Sequence, residues 1–247
     1  MGKNKYSDEL VHSIARGKRW LLEHAYISSN SDELMHYGVK GMKWGVRRTP
    51  EQLGHKRLTV SSTKVKALLI KNEVDKYKTG GPSGNQNCQL CTWAMEAQLR
   101  GKNVLPRAVY SPRDPIFNLN GYDIVKNPKK ISISNKNDVI NTITSAGDGS
   151  RFYTHVNWKN SASGHEFITT NIGGKLYIVD GQAGIVADMG SKKASEYYDD
   201  IDYKNSFLVR MDNKEFNSDI LKYNNESYQV KWDWHKDIAY MKKHGML

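Results

Sequence analysis

Asn-Cys-Gln-Leu-Cys-Thr-Trp-Ala, residues 87–94, contains both cysteines of the chain, Cys88 and Cys91. The stretch predicts the start of a helix, which Gly101 then ends. A helix N-terminus offers unpaired N–H groups and the positive end of the helix dipole, and both lower the pKa of a thiol placed there. Residues 87–94 therefore predict a helix that presents a cysteine nucleophile.

Strand signals follow this helix in the second half of the chain. Alternating and β-branched residues predict strands at 152–158, 166–171, 175–179 and 206–210, with a hairpin turn at Ile172-Gly173-Gly174. A helix followed by an antiparallel sheet indicates an α+β fold in which the nucleophile helix packs on the sheet.

Two polar residues of this strand region complete a candidate catalytic site with Cys88. His165 lies beside the second predicted strand, and Asp180 follows it by 15 positions, one hairpin strand later. Residues on neighbouring strands come within contact distance of each other. A thiol, an imidazole and a carboxylate in this chain order match a nucleophile, its base and the group that orients the base.

Each of these three residues has an alternative. Cys91 could be the nucleophile, although a position one turn into the helix lacks free N–H groups; otherwise it is a buried small hydrophobe or a resolving thiol. His155, on an adjacent predicted strand, could replace His165 as the base, and Asp180 could be only a turn residue. Both cysteines could also be packed and inert.

Composition limits the class of protein. The chain has 247 residues, a formal net charge of +11 and 38% hydrophobic residues, with a mean hydropathy of −0.69. It contains no run of about 20 apolar residues, and its N-terminus lacks the pattern of a signal peptide or a myristoylation site. We therefore expect no membrane segment, and either a solvated lysine-rich surface or an acidic partner. Two cysteines suit a reducing compartment.

The remaining segments suggest an extension and one larger domain. Residues 1–58 are expected to form an N-terminal helix and a basic stretch, and residues 59–247 the catalytic domain. The helical period predicts one apolar side for the helix at 59–78; it consists of Val65, Leu68, Leu69 and Val74. The other predictions are a helix at 7–27, a breaker at 79–85, loops with short elements over 106–150, and a strand followed by a helix over 228–246.

The basic stretch HYGVKGMKWGVRR, His36–Arg48, interleaves apolar and cationic residues and fits neither a helical nor a strand period. It resembles a short motif that recurs in tailed-phage and prophage proteins of Gram-positive hosts. The resemblance implies a phage context and association with the virion, but no chemistry. On its charge and apolar content, the stretch is expected to contact a capsid protein or a nucleic acid backbone.

Four motifs stand in order between residues 78 and 215: Asn87-Cys88-x-x-Cys91-x-x-Ala94-x-Glu96-x-x-x-Arg100-Gly101, Gly164-His165-x-Phe167, Tyr177-x-x-Asp180-x-Gln182 and Arg210-Met211-Asp212-Asn213. Together they resemble the papain-fold toxin and glutamine-deamidase families of polymorphic toxins and phage minor-head proteins. The resemblance implies a papain-like cysteine hydrolase fold and a Cys-His-Asp triad at Cys88, His165 and Asp180. It implies a structural or substrate-facing role for Gln182.

Two supporting roles fall to the residues before Cys88. Asn87 is expected to cap the helix. Papain-like enzymes use a glutamine to stabilise the oxyanion, and Gln86 and Asn85 are the nearest candidates, although both stand closer to the cysteine than that glutamine does.

The expected function is a phage- or prophage-encoded cysteine amidohydrolase that deamidates glutamine side chains of a host protein. It would act in the virion or the host cytoplasm, without a cofactor. The alternatives are a cysteine protease, a non-catalytic virion protein that reuses the fold, and a metal or redox site on Cys88 and Cys91. Zinc would need two further ligands, for which His165 and His155 are available.

Overall fold

A computed structural model describes residues 58–77, 87–161 and 163–246. Three predicted segments lie outside these residues, namely the helix at 7–27, the basic motif His36–Arg48 and the breaker at 79–85. The oxyanion candidates Asn85 and Gln86 lie outside them as well.

Within the described residues the chain forms a six-stranded sheet with helices on both faces. Neighbouring strands are antiparallel throughout, in the order β1-β6-β2-β3-β4-β5, which confirms the α+β class. The strands are β1 (Lys130–Ser132), β2 (Arg151–Trp158), β3 (Gly164–Ile172), β4 (Lys175–Asp180), β5 (Ile185–Asp188) and β6 (Ile201–Arg210). The helices are α1 (Val60–Tyr77), α2 (Cys88–Leu99), α3 (Lys136–Ala146), α4 (Lys192–Tyr198) and α5 (Trp234–Lys243).

The sheet separates two apolar cores, because successive side chains of a strand point to opposite faces. Tyr153 of β2 and Ile168 of β3 pack with α1 and α2 on one face. Their neighbours Phe152 and Phe167 pack with α3 and α4 on the other. The nucleophile helix predicted from the sequence is thus the buried helix α2, packed on the first of these faces.

The β3–β4 hairpin sets the register on which the candidate site depends. Ile172 lies opposite Lys175, so the turn consists of two residues, Gly173 and Gly174, with φ angles of 65° and 83°. Positive φ at both positions is the type of turn whose twist matches paired strands, and glycine adopts it without strain. The predicted hairpin is confirmed, and its register brings the end of β4 to the beginning of β3.

A buried carboxylate ties α2 to the sheet. Glu96 is fully buried and accepts hydrogen bonds from Arg100 Nε at 2.7 Å and from Arg151 Nε at 2.9 Å. Arg100 also donates to the carbonyl of Met211 at 2.6 Å. Glu96 and Arg100, two members of the papain-fold pattern, therefore fix the helix to β2 and to the chain after β6.

The prediction for the apolar side of α1 is wrong. Its buried residues are Thr63, Ala67, Ile70 and Val74, whereas Val65, Leu68 and Leu69 are 42%, 51% and 38% exposed. Only Val74 was placed correctly. The inward side packs against α2 in the core, and Gly181, just after β4, lies so close to it that a Cβ there would stand 3.0 Å from the Ile70 side chain.

Two other local predictions are also corrected. Region 106–150 contains the regular elements β1 and α3, which begins where Asn135 accepts a hydrogen bond from the Asp138 N–H. No strand forms between Tyr228 and α5, where the chain runs from a 3₁₀ turn at Glu226–Tyr228 into the helix.

Candidate catalytic site

Cys88 is the first residue of α2, as the sequence predicted, but Asn87 does not cap the helix with its side chain. Asn87 is fully buried; its amide donates to the Arg107 carbonyl at 2.9 Å, and its Oδ1 accepts from Gln182 Nε2 at 3.0 Å. The N–H groups of the first helical turn have no partner within the helix. Instead of capping the helix, the Asn87 side chain therefore fixes the start of α2 to Arg107 and Gln182.

His165 lies near the start of β3 and contacts both other members of the predicted triad. Its Nε2 donates to Asp180 Oδ2 at 2.7 Å, and its side chain interacts with Cys88. Burial lowers the pKa of His165, but its interactions with Asp180 and Cys88 outweigh burial and raise the pKa from 6.5 to about 10. The imidazole is therefore protonated at neutral pH, with a hydrogen on each ring nitrogen.

Asp180 ends β4 and is almost fully buried. In addition to His165, its carboxylate accepts hydrogen bonds from Tyr197 Oη at 2.7 Å and from the Ala183 N–H at 3.0 Å. Burial raises the pKa of Asp180, but these donors and the charge of His165 outweigh it, so the pKa lies below its ordinary value. Asp180 is therefore a charged, fully engaged partner of His165 and not merely a turn residue.

The sequence reasoning missed Tyr197. It lies on α4, a helix of seven residues whose Ser191 cap accepts a hydrogen bond from the Ala194 N–H. A serine followed by Ala194 and Tyr198, four positions apart and both buried, is a helix signal that could have been found. That Tyr197 would point at Asp180 depends on how α4 packs on the sheet.

Cys91 is the fourth residue of α2 and is only 1% exposed. Burial raises the pKa of its thiol well above the ordinary value, and negative charge on Cys88 and Asp180 adds to the rise. The expectation that Cys91 is a small buried side chain is confirmed, whereas Cys88 is partly exposed.

His155 makes a separate pair with Glu166. Its Nδ1 lies 3.3 Å from Glu166 Oε1, and its ring stacks on Phe207. Val156, not His155, lies opposite His165, so His155 points to the other face of the sheet. Of the two histidines considered as the base, the one that interacts with Cys88 and Asp180 is His165.

A cleft of about 690 Å³ opens beside His165 and Asp180. His165, Asp180 and Gln182 form part of its wall, and Trp158 stacks on His165 with the ring centroids 6.1 Å apart. Charges of both signs surround the cleft; the residues that carry them are Lys159, Lys193, Glu196 and Asp200. Gln182 is thus both anchored to Asn87 and exposed to the cleft.

Neither a metal centre nor a membrane span is found in the described part of the chain. No three histidine, cysteine, aspartate or glutamate side chains there are grouped so that they could hold a metal ion. None of the helices in these residues combines the length and the apolar character needed to cross a bilayer.

Comparison with protein-family models gives a match in the N-terminal part. Residues 28–51 match a family of unknown function, DUF7211. The matched range includes the basic motif His36–Arg48 and ends before the first described residue. No curated protein matches the chain.

Proposed function

We propose that the chain is a papain-like cysteine amidohydrolase that deamidates glutamine side chains of a protein. Cys88 is the nucleophile, His165 the acid and base, and Asp180 the group that orients His165. One observation carries the proposal, namely that His165 is hydrogen-bonded to Asp180 through Nε2 at 2.7 Å and interacts with Cys88, the first residue of α2. Because Nε2 is engaged, Nδ1 is the ring nitrogen left to exchange a proton with the thiol and with the leaving group.

The reaction proceeds through a thioester. The Cys88 thiolate attacks the carboxamide carbon, and His165 gives its proton to the nitrogen, which leaves as ammonia. The neutral imidazole then takes a proton from water, whose oxygen attacks the thioester, and the products are a carboxylic acid and the free thiol. The N–H groups of the first turn of α2 have no partner within the helix and lie beside the nucleophile, where they can stabilise the oxyanion of each tetrahedral intermediate.

Proteolysis would use the same groups with a peptide amine as the leaving group. The choice of deamidation rests on the resemblance of the Cys88, His165 and Asp180 motifs to glutamine deamidases. In the same proposal the substrate is a host protein, and the motif His36–Arg48 attaches the enzyme to a virion component or nucleic acid.

Thiol reactivity tests the nucleophile without knowledge of the natural substrate. Protein treated with substoichiometric iodoacetamide at about pH 6 should be alkylated at Cys88 and not at Cys91, because a thiolate paired with an imidazolium reacts where an ordinary thiol is protonated. His165→Ala is the matched control and should abolish the rapid phase. Equal, slow labelling of Cys88 in both proteins would contradict the proposed site.

The reaction is then identified by its products. An unfolded test protein incubated with the enzyme should release ammonia and gain about 1 Da at individual glutamines in peptide maps. Cys88→Ala should give neither, with its unfolding free energy changed by about 1 kcal/mol or less because the lost side chain is small and partly exposed. New chain termini in place of the mass gain would identify a protease.

A further inference from the structure

The proposed reaction uses Cys88 and gives Cys91 no role. These are the only two cysteines in the chain, and they occupy the first and fourth positions of the same helix. Cys91 adjoins the site itself, because its carbonyl oxygen lies 3.5 Å from the position that a Cβ on Gly181, the residue after Asp180, would take.

The spacing of the pair is compatible with a disulfide that needs a local rearrangement. Residues three apart on a helix have Cβ atoms about 5–6 Å apart, whereas a disulfide needs about 3.5–4.5 Å. The first turn of α2 must therefore tighten or open by about 1–2 Å. The shift has to occur within this turn, because Asn87 is held by hydrogen bonds to Arg107 and Gln182 and Cys91 is buried, and a bond formed under strain is easily reduced.

We propose that Cys88 and Cys91 form a reversible redox site, in which a peroxide oxidises Cys88 and Cys91 resolves the product to an intrahelical disulfide. The Cys88 thiolate attacks one peroxide oxygen, the O–O bond breaks, and the thiolate becomes a sulfenic acid as hydroxide leaves. The Cys91 thiol then attacks the Cys88 sulfur, the S–O bond breaks, and one water is released. Together the two thiols have supplied the two electrons that reduce one peroxide.

The environments of the two sulfurs suit these two roles. Cys88 is partly exposed and interacts with a cationic imidazole, as a peroxide-sensitive cysteine requires. Cys91 is buried, so peroxide reaches it poorly, while Cys88 lies one helical turn away. Burial is the main cause of the raised pKa of Cys91, and negative charge on Cys88 adds to it. Oxidation removes that charge, which favours the attack of Cys91 on the Cys88 sulfur.

The effect of the disulfide on activity rests on the proposed function. A disulfide removes the Cys88 nucleophile, so the hydrolase is inactive until a reductant restores the thiol. The disulfide also protects Cys88 from irreversible oxidation to the sulfinic acid. The formation of the bond is independent of any hydrolase activity, so the two proposals are tested separately.

Intact-mass analysis after exposure to hydrogen peroxide tests the redox site. The protein should lose about 2 Da and both free thiols, and dithiothreitol should restore both. Cys91→Ala should instead gain about 32 Da at Cys88, the mass of a sulfinic acid, and dithiothreitol should not reverse it. Cys91→Ser repeats this test with a side chain close in size to cysteine, in case the alanine variant folds poorly.

Cys88→Ala is the second control and should keep the Cys91 thiol free at the same peroxide concentration. Wild-type protein that reaches the sulfinic acid as fast as Cys91→Ala, without a 2 Da loss, would overturn the redox site. Alkylation of Cys88 by iodoacetamide in the reduced protein would remain, so the proposed function would stand even if the redox site failed.

Discussion

Tyr197 and His165 share one oxygen atom of Asp180. Tyr197 Oη and His165 Nε2 each lie 2.7 Å from Asp180 Oδ2, and Tyr197 also packs against the His165 ring. The hydroxyl is one of the causes that lower the pKa of Asp180. Tyr197 is therefore a positioning residue, since it acts on Cys88 only through Asp180 and His165.

We expect Tyr197→Phe to slow the alkylation of Cys88 by about tenfold, which corresponds to the roughly 1.4 kcal/mol of one hydrogen bond to a charged group. The pH at which labelling is lost on the acid side should also move upward, because Asp180 without this donor takes up a proton more readily. The measurement is the rate of iodoacetamide labelling as a function of pH.

Tyr198→Phe is a matched control on the same helix. The Tyr198 hydroxyl is buried and has no hydrogen-bond partner among the described residues, so its removal should leave the labelling profile unchanged. Identical profiles for Tyr197→Phe and wild type would contradict a positioning role for Tyr197.

Residue types predicted part of the site and missed the rest for a physical reason. A helix start marks Cys88, and strand alternation with a short hairpin brings His165 and Asp180 together, so local patterns suffice for these three. Asn87 fits the pattern of a helix cap equally well, yet its side chain bonds to the Arg107 carbonyl, 20 positions away. Contacts set by tertiary packing leave no local signal.

At the scale of elements, a buried carboxylate contributes to the attachment of α2 to the sheet, beside the apolar core. Glu96 accepts from Arg100 and Arg151 with its own side chain fully buried. Glu96→Gln keeps the shape but leaves two guanidinium groups without their counter-charge, a change that destabilises proteins by about 3–5 kcal/mol when an ion pair is buried. Urea unfolding should show that the free energy of unfolding of the variant is lower by about 3 kcal/mol. This is the low end of the range, because glutamine still accepts one hydrogen bond.

Glu196→Gln provides the comparison on the protein surface. Glu196 pairs with Lys193, three residues earlier on α4, and both side chains are about half exposed. Solvent screens such a pair, so the unfolding midpoint of Glu196→Gln should match that of the wild type. Similar losses in the two variants would show that Glu96 has no special part in holding α2.

Strands were easier to predict than helical surfaces. The four predicted strands correspond to β2, β3, β4 and β6, because runs rich in β-branched and aromatic residues between turn signals mark strands. α1 was oriented wrongly because its larger apolar residues face outward, against the usual preference. α3 was missed because asparagine, threonine and serine weaken its helical signal, although Val139 and Ile143, four positions apart, are its buried residues.

For the whole molecule, pH acts on stability in two opposite ways. The net charge of +11 falls as the pH approaches the isoelectric point of about 9.4, which relieves general repulsion. His165 has the reverse effect. Its pKa in the folded state is above the ordinary 6.5, so the stabilisation it contributes is complete below pH 6.5 and is lost as the pH rises toward about 10.

Comparing Cys88→Ala with the Cys88→Ala/Asp180→Asn double variant isolates the contribution of the His165–Asp180 pair. The alanine background is needed because a thiol ordinarily titrates near pH 8.5, inside the same range. Above pH 6.5 the folded protein with Asp180 keeps a proton that the unfolded chain has released. Its unfolding free energy should therefore fall relative to the double variant by up to about 1.4 kcal/mol per pH unit. Lysines, tyrosines and net charge affect both proteins almost equally. If the difference in unfolding free energy between the two variants stays constant between pH 6 and 9.5, Asp180 does not hold the proton on His165.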